Sequence, residues 1–376
     1  MMIDFVQIKN ANLETIGIID TAKSIIWHKV YYGVGDFEIF VEATATTISL
    51  LTIGNYVTRL NDDEIGIIEK IEITRDAQNG LMVLASGRFA KILLERRIIY
   101  TISGNQNKAT ILTGNVESAA RALVANNATA CTFNSDRNIG ILELGAHSGS
   151  TQIIVDKNGH ATRKQVTNKN LLSYTDALLQ EYFMSAKIIF SEDDSKLQYT
   201  VFSGVDRSAD NSANVDAVIF STDFDNLTES DYSDDISSLR NAALIGGEGE
   251  GLDRFYSTVE DTSATGIERR EIFVDASDTQ RKYEDENETE QEYTDAEYSA
   301  ILESRGDLEL AQYIQIKSFS GSISTNAGMW IYGIDYGLGD IVTVQDNTIG
   351  VYANVRITET TEVQDDNGYS VELKYE

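Results

Sequence analysis

Apolar residues in this chain fall in short alternating runs separated by Gly, Asn, Asp and Ser, and none of its 376 residues is proline. Average usage of about 5% would supply roughly 19 prolines. Turns must therefore be made by Gly, Asn, Asp and Ser, and no native prolyl isomerisation can slow folding. The longest apolar stretches, such as that from Ile48 to Ile53, are broken by Thr and Gly well before the ~18 residues a membrane helix needs. Hydrophobic content of 42% and charged content of 24% are ordinary for a globular chain. At about 150 residues per domain, the length predicts two or three domains. The N-terminus has no basic head followed by an apolar stretch, so no Sec-type signal is expected.

Strands dominate the first hundred residues. Asp36 to Val41 alternates, with Phe37, Ile39 and Phe40 supplying the apolar side. Glu64 to Arg75 reads as one or two strands with Ile68, Ile71 and Ile73 as core candidates. It runs to the hairpin signal Asn79-Gly80 and returns through Leu81 to Ser86. After Gly87, Phe89, Ile92 and Leu93 sit at helical spacing. The next block predicts two short helices. One spans Asn115 to Asn126, with Ala119, Ala122, Leu123 and Val124 inward. The other spans Ser173 to Phe183, with Leu178, Leu179, Tyr182 and Phe183 inward. Paired strands follow, from Ala186 to Ser191 and from Lys196 to Ser203, joined by residues 192–195.

Further strands are expected from Asn241 to Ile245, Arg254 to Thr258 and Ile272 to Val274. Thr294 and Glu297 form a capping box for a helix that Gly306 is expected to end after Arg305. The tail reads as β: Tyr313 to Phe319, Ile341 to Val344, Gly350 to Thr358, Thr361 to Val363 and Tyr369 to Tyr375. The fold class is therefore β-rich α+β, in several compact domains.

The formal charge is −30, which argues against general electrostatic binding of nucleic acid or anionic membranes. Residues 1–100 carry −3, 101–200 carry 0, 201–300 carry −19 and 301–376 carry −8. The densest part, Tyr283 to Glu292, has six acids in ten residues. Such a run is an ordinary solvated face, or a surface that repels another polyanion.

Candidate chemistry is sparse. Residues Gly246 to Gly251 lack the dinucleotide spacing and the Lys-Ser/Thr ending of a phosphate loop, and two glutamates would repel phosphate. A glycine-rich bend explains them better. Acidic clusters at Asp62-Asp63-Glu64, Asp193-Asp194 and from Asp231 to Asp235 do not match the alternating calcium loop. Sixty acids make a carboxylate pair inevitable, yet nothing singles one out. His28, His147 and His160 lie in unlike contexts and no Gly-x-Ser-x-Gly elbow is present. Cys131, the one cysteine, has no local activating base and is expected to be buried. Trp330 and Tyr332 read as core. No catalytic, cofactor-binding or metal residue is assigned, and no cofactor is expected.

Five stretches, taken in order, resemble the tail-hub (baseplate hub) proteins of long-tailed bacteriophages, the N-terminal module of tail-associated tip proteins. They are Gly35-Asp36-Phe37-Glu38-Ile39; Ser86-Gly87-Arg88 leading to Arg96-Arg97-Ile98-Ile99; and Ser203-Gly204-Val205-Asp206-Arg207-Ser208 followed by Val218-Ile219-Phe220-Ser221. The fourth joins residues 241–254 to Glu268-Arg269-Arg270-Glu271 and Phe273-Val274-Asp275. The fifth is Tyr332-Gly333-Ile334-Asp335-Tyr336-Gly337-Leu338-Gly339-Asp340 before Ile341-Val342-Thr343-Val344.

The resemblance implies a structural virion protein of the tail tip, assembled in the bacterial cytoplasm, with two tail-tube-like β domains plus smaller α/β domains. It implies a homotrimer that presents six similar domains to a sixfold tube. It also implies contacts with the distal tail protein, the tape-measure protein and a tip spike or fibre, with DNA passing through the ring without specific binding. The expected division is 1–110 first tube-like domain, 111–190 mixed α/β domain, 191–300 second tube-like domain with the acidic segment, and 301–376 C-terminal helix and β domain. Related tip proteins often continue into a hydrolase or receptor-binding region; with the chain stopping at Glu376, those tasks are expected on another polypeptide. The family motifs mark a fold, so no site residue is carried over. Two other readings stay open: a carboxylate-based cell-wall glycan hydrolase, and a carbohydrate-binding tip protein using some of the 18 tyrosines.

Overall fold

A computed structural model describes residues 5–376 apart from 61, 77–79, 104–105, 157–158, 194, 213–214, 228–230, 285–289, 324–328 and 349. Asn79, Asp194 and the centre of the acidic run at 283–292 thus lie outside the described residues.

Seven strands build a first β unit: Val6–Lys9, Thr15–Ile19, Ser24–Val30, Asp36–Glu42, Tyr56–Arg59, Gly66–Asp76 and Gly80–Phe89. They neighbour one another in the order 24–30, 36–42, 80–89, 66–76, 56–59, 6–9, 15–19, and every pair is antiparallel. Period-two alternation turns Phe37, Ile39 and Val41 inward, and all three are fully buried. Phe40 therefore belongs to the opposite face and is only half-buried. Trp27 anchors this core, edge-on to Phe89 at 5.0 Å between ring centroids and tilted against Phe37 at 5.6 Å. The helix Ala45–Leu50, started by a capping box between Thr44 and Thr47, brings Leu50 and Leu51 into the same core.

The hairpin expected near Gly80 is present: Asp76 pairs with Gly80, which takes φ +77°. Gly87 does not precede a helix. It lies in the strand Gly80–Phe89, opposite a bulge where Ile68 and Glu69 share one partner position. A Cβ at Gly87 would stand 1.8 Å from the Ile67 carbonyl oxygen, so only glycine fits. The helical turn begins later, as the 3-10 segment Ala90–Arg96. The bulge also resets side-chain parity, so Ile68 and Ile71 both reach the same core despite their odd spacing. Ile73 is no core residue; it is 48% exposed, on the part of its strand past residue 68 that, among the described residues, pairs only with Gly80–Phe89.

The mixed region has the largest core. The helices Val116–Val124 and Leu171–Gln180, capped by Asn115 and Asn170, pack with the strands Leu142–Leu144, Ser185–Ser191 and Lys196–Phe202. Leu197, Tyr199 and Val201 alternate inward as expected. Ala122 faces solvent and Ala120 takes its place, because the buried stripe follows residues 116, 119, 120, 123 and 124. Phe183 lies past the helix end, at φ +54° and largely exposed. Cys131 is buried.

A second β core joins Val218, Phe220 and Leu227 to Tyr336, Val342, Val344, Ile357, Val371, Leu373 and Tyr375. Its strands include Ile219–Ser221, Asp231–Asp235, Ile316–Ile323, Ile341–Asp346, Val351–Asp365 and Gly368–Tyr375. The two strands expected at 350–358 and 361–363 are one, Val351–Asp365. Between residues 235 and 316 stands a separate packing unit: the three-stranded sheet Ala242–Gly246, Tyr256–Glu260 and Glu271–Asp275, with one face on the helix Asp295–Leu310. Its ends meet where the Arg240 amide donates to the Tyr313 carbonyl at 2.9 Å. The capping box at Thr294 and Glu297 is formed. Gly306 does not stop the helix. It is buried inside it because Ile245 and Val259 press against that position, within 2.7 Å and 3.2 Å of where a Cβ would be.

The two β cores share a sheet. Residues 359–365 pair antiparallel with Ser24–Val30, from Glu359 opposite Val30 to Asp365 opposite Ser24. Gly87→Ala is expected to destabilise the protein by about 3 kcal/mol or more, since backbone rather than a yielding side chain blocks the methyl. Urea unfolding followed by tryptophan fluorescence checks this; a change within experimental error contradicts it.

Candidate functional site: the joint between the two β units

The shared sheet is locked from the first unit by Arg59, at the end of strand Tyr56–Arg59. Its guanidinium lies over the Trp27 ring at 5.3 Å and grips both oxygens of Glu362, which projects from the long strand Val351–Asp365. Tyr369 donates to the same carboxylate at 2.6 Å. Arg59 also bonds Asp62 Oδ2 at 2.7 Å, and Lys29 reaches that oxygen from the shared strand at 2.7 Å. Asp62 and Glu362 are almost completely shielded from solvent. Burial alone would push the Asp62 carboxyl up, but Lys29 and Arg59 outweigh it and hold it near 2. The same attraction outweighs the burial penalty on Lys29 and Arg59 and raises both.

Glu64, two residues on, behaves oppositely. Burial dominates and pushes it up to about 7, although Lys29 favours its charged form. These groups line a cleft of about 950 Å³ between the first unit, residues 187–204 and the loop 332–340.

A second contact lies nearby. The Tyr31 hydroxyl donates to the Phe183 carbonyl at 2.9 Å, and its ring stacks edge-on against Phe202 at 5.4 Å. Gly339, at φ +89°, passes so close that a Cβ would fall 2.3 Å from the Tyr31 ring. A Cβ at Gly204 would stand 1.8 Å from the Gly339 carbonyl oxygen. Arg356 bonds that oxygen at 2.6 Å with its guanidinium over Tyr31. Asp340 is buried and accepts from the amides of Val205 at 2.7 Å and Gly337 at 2.9 Å, and from Arg207 Nε at 3.0 Å. The stretches around 203–208 and 332–344 are thus two sides of one backbone contact.

Of the acidic clusters, only Asp62, Asp63 and Glu64 among the described residues line this cleft, with Lys187 bonding Asp63 at 2.6 Å. His28 bridges Asp36 at 3.1 Å and Glu359 at 3.0 Å. Its bond to Glu359, stronger than the opposing burial, raises the imidazole, while Glu359 is held down near 2 by His28 and Lys374. His147 lies 3.4 Å from Glu117 and His160 lies 3.7 Å from Asp156, and neither lines the cleft. Trp330 and Tyr332 pack against the second core. In the glycine-rich bend, Gly249 takes φ +104° and Gly247 lies against Tyr298. Among the described residues no cluster of His, Cys, Asp or Glu could hold a metal ion. Sequence reasoning missed Lys29, Arg59 and Glu362. The available signal was a charged residue at an inward position of an alternating strand, as at Glu362 beside Val363.

Neighbouring substitutions are expected to move stability in opposite directions. Asp62→Asn leaves Lys29 and Arg59 buried with less compensation and costs about 3 kcal/mol at pH 7. The Asp62 carboxyl sits below its unfolded value, so its stabilisation is present above pH ~4 and fades as pH falls towards 2; the cost of the substitution fades with it. Glu64 sits above its unfolded value, so ionising it weakens the fold as pH rises from ~4.5 through 7. Glu64→Gln therefore stabilises at pH 8 and is near neutral at pH 4.5. Denaturant titrations at the three pH values check both signs, and a destabilising Glu64→Gln at pH 8 contradicts the account.

A model of the Siphovirus ReqiPepy6 Gp37-like protein family matches residues 5–374. No curated protein matches the chain in sequence. Among solved structures, the 43 kDa tail protein of prophage MuSo2 from Shewanella oneidensis has TM-score 0.59 at 12% identity, covering 99% of this chain and 98% of that one. The tail protein from Neisseria meningitidis MC58 has TM-score 0.54 at 13% identity, covering 99% and 95%. At such identities the likeness concerns fold, and it agrees with the β-rich α+β architecture. Matched over nearly its whole length, the chain belongs to the Siphovirus ReqiPepy6 Gp37-like protein family.

Proposed function

We propose that this tail protein is a hub at the tail tip or baseplate: three copies close into a ring that joins the sixfold tube and the distal tail protein to a threefold tip. The observation that carries the reading is the pair of β cores, each with its own buried aromatic anchor, fused edge to edge through residues 359–365 and 24–30. Two such units per chain let three chains offer six positions to a sixfold partner. The working division is by packing: a first β unit, a mixed region, and a second β unit interrupted by the sheet-and-helix unit at 242–310. The tape-measure protein and a spike or fibre are the further partners this role requires.

A structural rather than enzymatic role fits the cleft. Two of its carboxylates, Asp62 and Glu362, are gripped by Lys29 and Arg59, which suits cohesion and leaves neither of the two to attack or protonate a substrate. The net charge of −30 suits a wall past which DNA slides without phosphate contacts, and the −19 of residues 201–300 is proposed to face that passage. Carboxylates mapped wholly to the outer rim would remove that lining role and leave the ring.

Light scattering behind a sizing column is expected to give 124.8 kDa, three times 41.6 kDa. A mass of one chain at micromolar concentration would overturn the ring.

A further inference from the structure

Six carboxylates line the cleft at the joint against three cations, Lys29, Arg59 and Lys187. Asp62 and Glu362 are held by Lys29 and Arg59, Asp63 by Lys187, and Asp340 by Arg207. Glu192 is exposed and attracts Lys9. Glu64 is left over. Its backbone amide donates to Asp62, but among the described residues its carboxylate has no hydrogen bond and no ion pair. We propose that the cleft receives an arginine or lysine side chain of another polypeptide, which pairs with Glu64. This pairing does not depend on the ring described above.

The Glu64 carboxyl is half-buried yet reachable. It lines the cleft and also a small void walled by Phe89, Phe202 and Leu338. Apolar walls raise the cost of its charge, and burial accordingly pushes it up to about 7. Lys29 and Lys187 favour the charged form, but both are bonded to Asp62 and Asp63, whose own charges oppose it. Lys91, the other lysine beside the void, is bonded to Asp176 at 3.1 Å. A cation from outside would therefore compensate a charge that the fold leaves without a direct partner, and such a hydrogen-bonded pair is strongest where water is partly excluded. A metal ion suits the place poorly, because among the described residues no group of His, Cys, Asp or Glu is arranged to ligate one. The volume of about 950 Å³ lies at the upper end of the roughly 300–1,000 Å³ that ligand pockets span, which is room for a short run of residues. Leu60, 60% exposed, and the half-buried Phe5 belong to the same lining and offer contacts to apolar neighbours of the basic residue.

The test titrates the full chain with the peptide acetyl-Leu-Arg-Leu-amide by calorimetry at pH 6 and pH 8, with citrulline in place of arginine as the uncharged counterpart. Only the ionised carboxylate pairs with the cation, and it ionises near 7, so binding is expected to be about tenfold tighter at pH 8. About one proton is released per peptide at pH 6 and almost none at pH 8, read from buffers of different ionisation enthalpy. Glu64→Gln is expected to weaken binding about tenfold at pH 8 and to abolish the pH dependence, while Glu72→Gln, an exposed carboxylate bridged to Lys70, changes neither. The citrulline peptide is expected to bind at pH 8 no better than the arginine peptide binds Glu64→Gln. Equal affinity for the two peptides, or binding that Glu64→Gln leaves unchanged, overturns the pairing. Absence of saturable binding at millimolar peptide overturns it too. Light scattering with and without peptide identifies the source of the side chain. An unchanged mass supports a foreign chain; dissociation into smaller species shows a copy of this chain already seated in the cleft and overturns the choice of partner.

Discussion

The bidentate grip of Arg59 on Glu362 holds together parts of the chain 303 residues apart. Without it, the pairing of residues 359–365 with Ser24–Val30 would be an ordinary meeting of two sheet edges. The grip is built from both sides. Trp27 supports the guanidinium from the first core, and Tyr369 supports the carboxylate from the second. Asp62 and Lys29 complete a group in which neighbouring charges alternate in sign, which is what makes several buried charges tolerable in one place. Glu64 lies just outside that alternation, which is why burial governs it.

Close backbone approaches do a related job at the second contact. Tyr31, Gly204 and Gly339 come from three segments remote in sequence, and the missing side chains at both glycines let a ring and two backbones occupy one small volume. Asp340 then fixes the loop by accepting hydrogen bonds from two amides and one guanidinium. One joint is thus closed by charge and the other by shape.

Much of the strand pattern was legible beforehand, because period two is a local signal: Phe37 and Ile39 in one strand, Leu197, Tyr199 and Val201 in another, and the capping box at Thr294 and Glu297. The misreadings share a cause. Phe40 and Ile73 were apolar residues whose place depends on a parity or an edge set by partners elsewhere. Gly306 looked like a helix stop, yet it stays helical because the strands at 245 and 259 need the room. Gly87 looked like punctuation before a helix, while its real constraint is the carbonyl of Ile67 across the bulge. The joint itself was hidden, since an inward charge such as Glu362 meets its partner Arg59 only once the chain has folded back over three hundred residues.

The sheet-and-helix unit at 242–310 leaves and rejoins the second β unit where Arg240 and Tyr313 are bonded to each other. Its own hydrophobic core is complete without borrowing from the β cores. Its helix is nevertheless seated on the mixed region, where Leu308 enters the core and Lys164 donates to the Ser304 carbonyl, so the outer sheet is the part that can be refitted over generations while the framework beneath keeps its geometry. Refitting this appendage to new neighbours would therefore leave the joined sheet beneath it untouched.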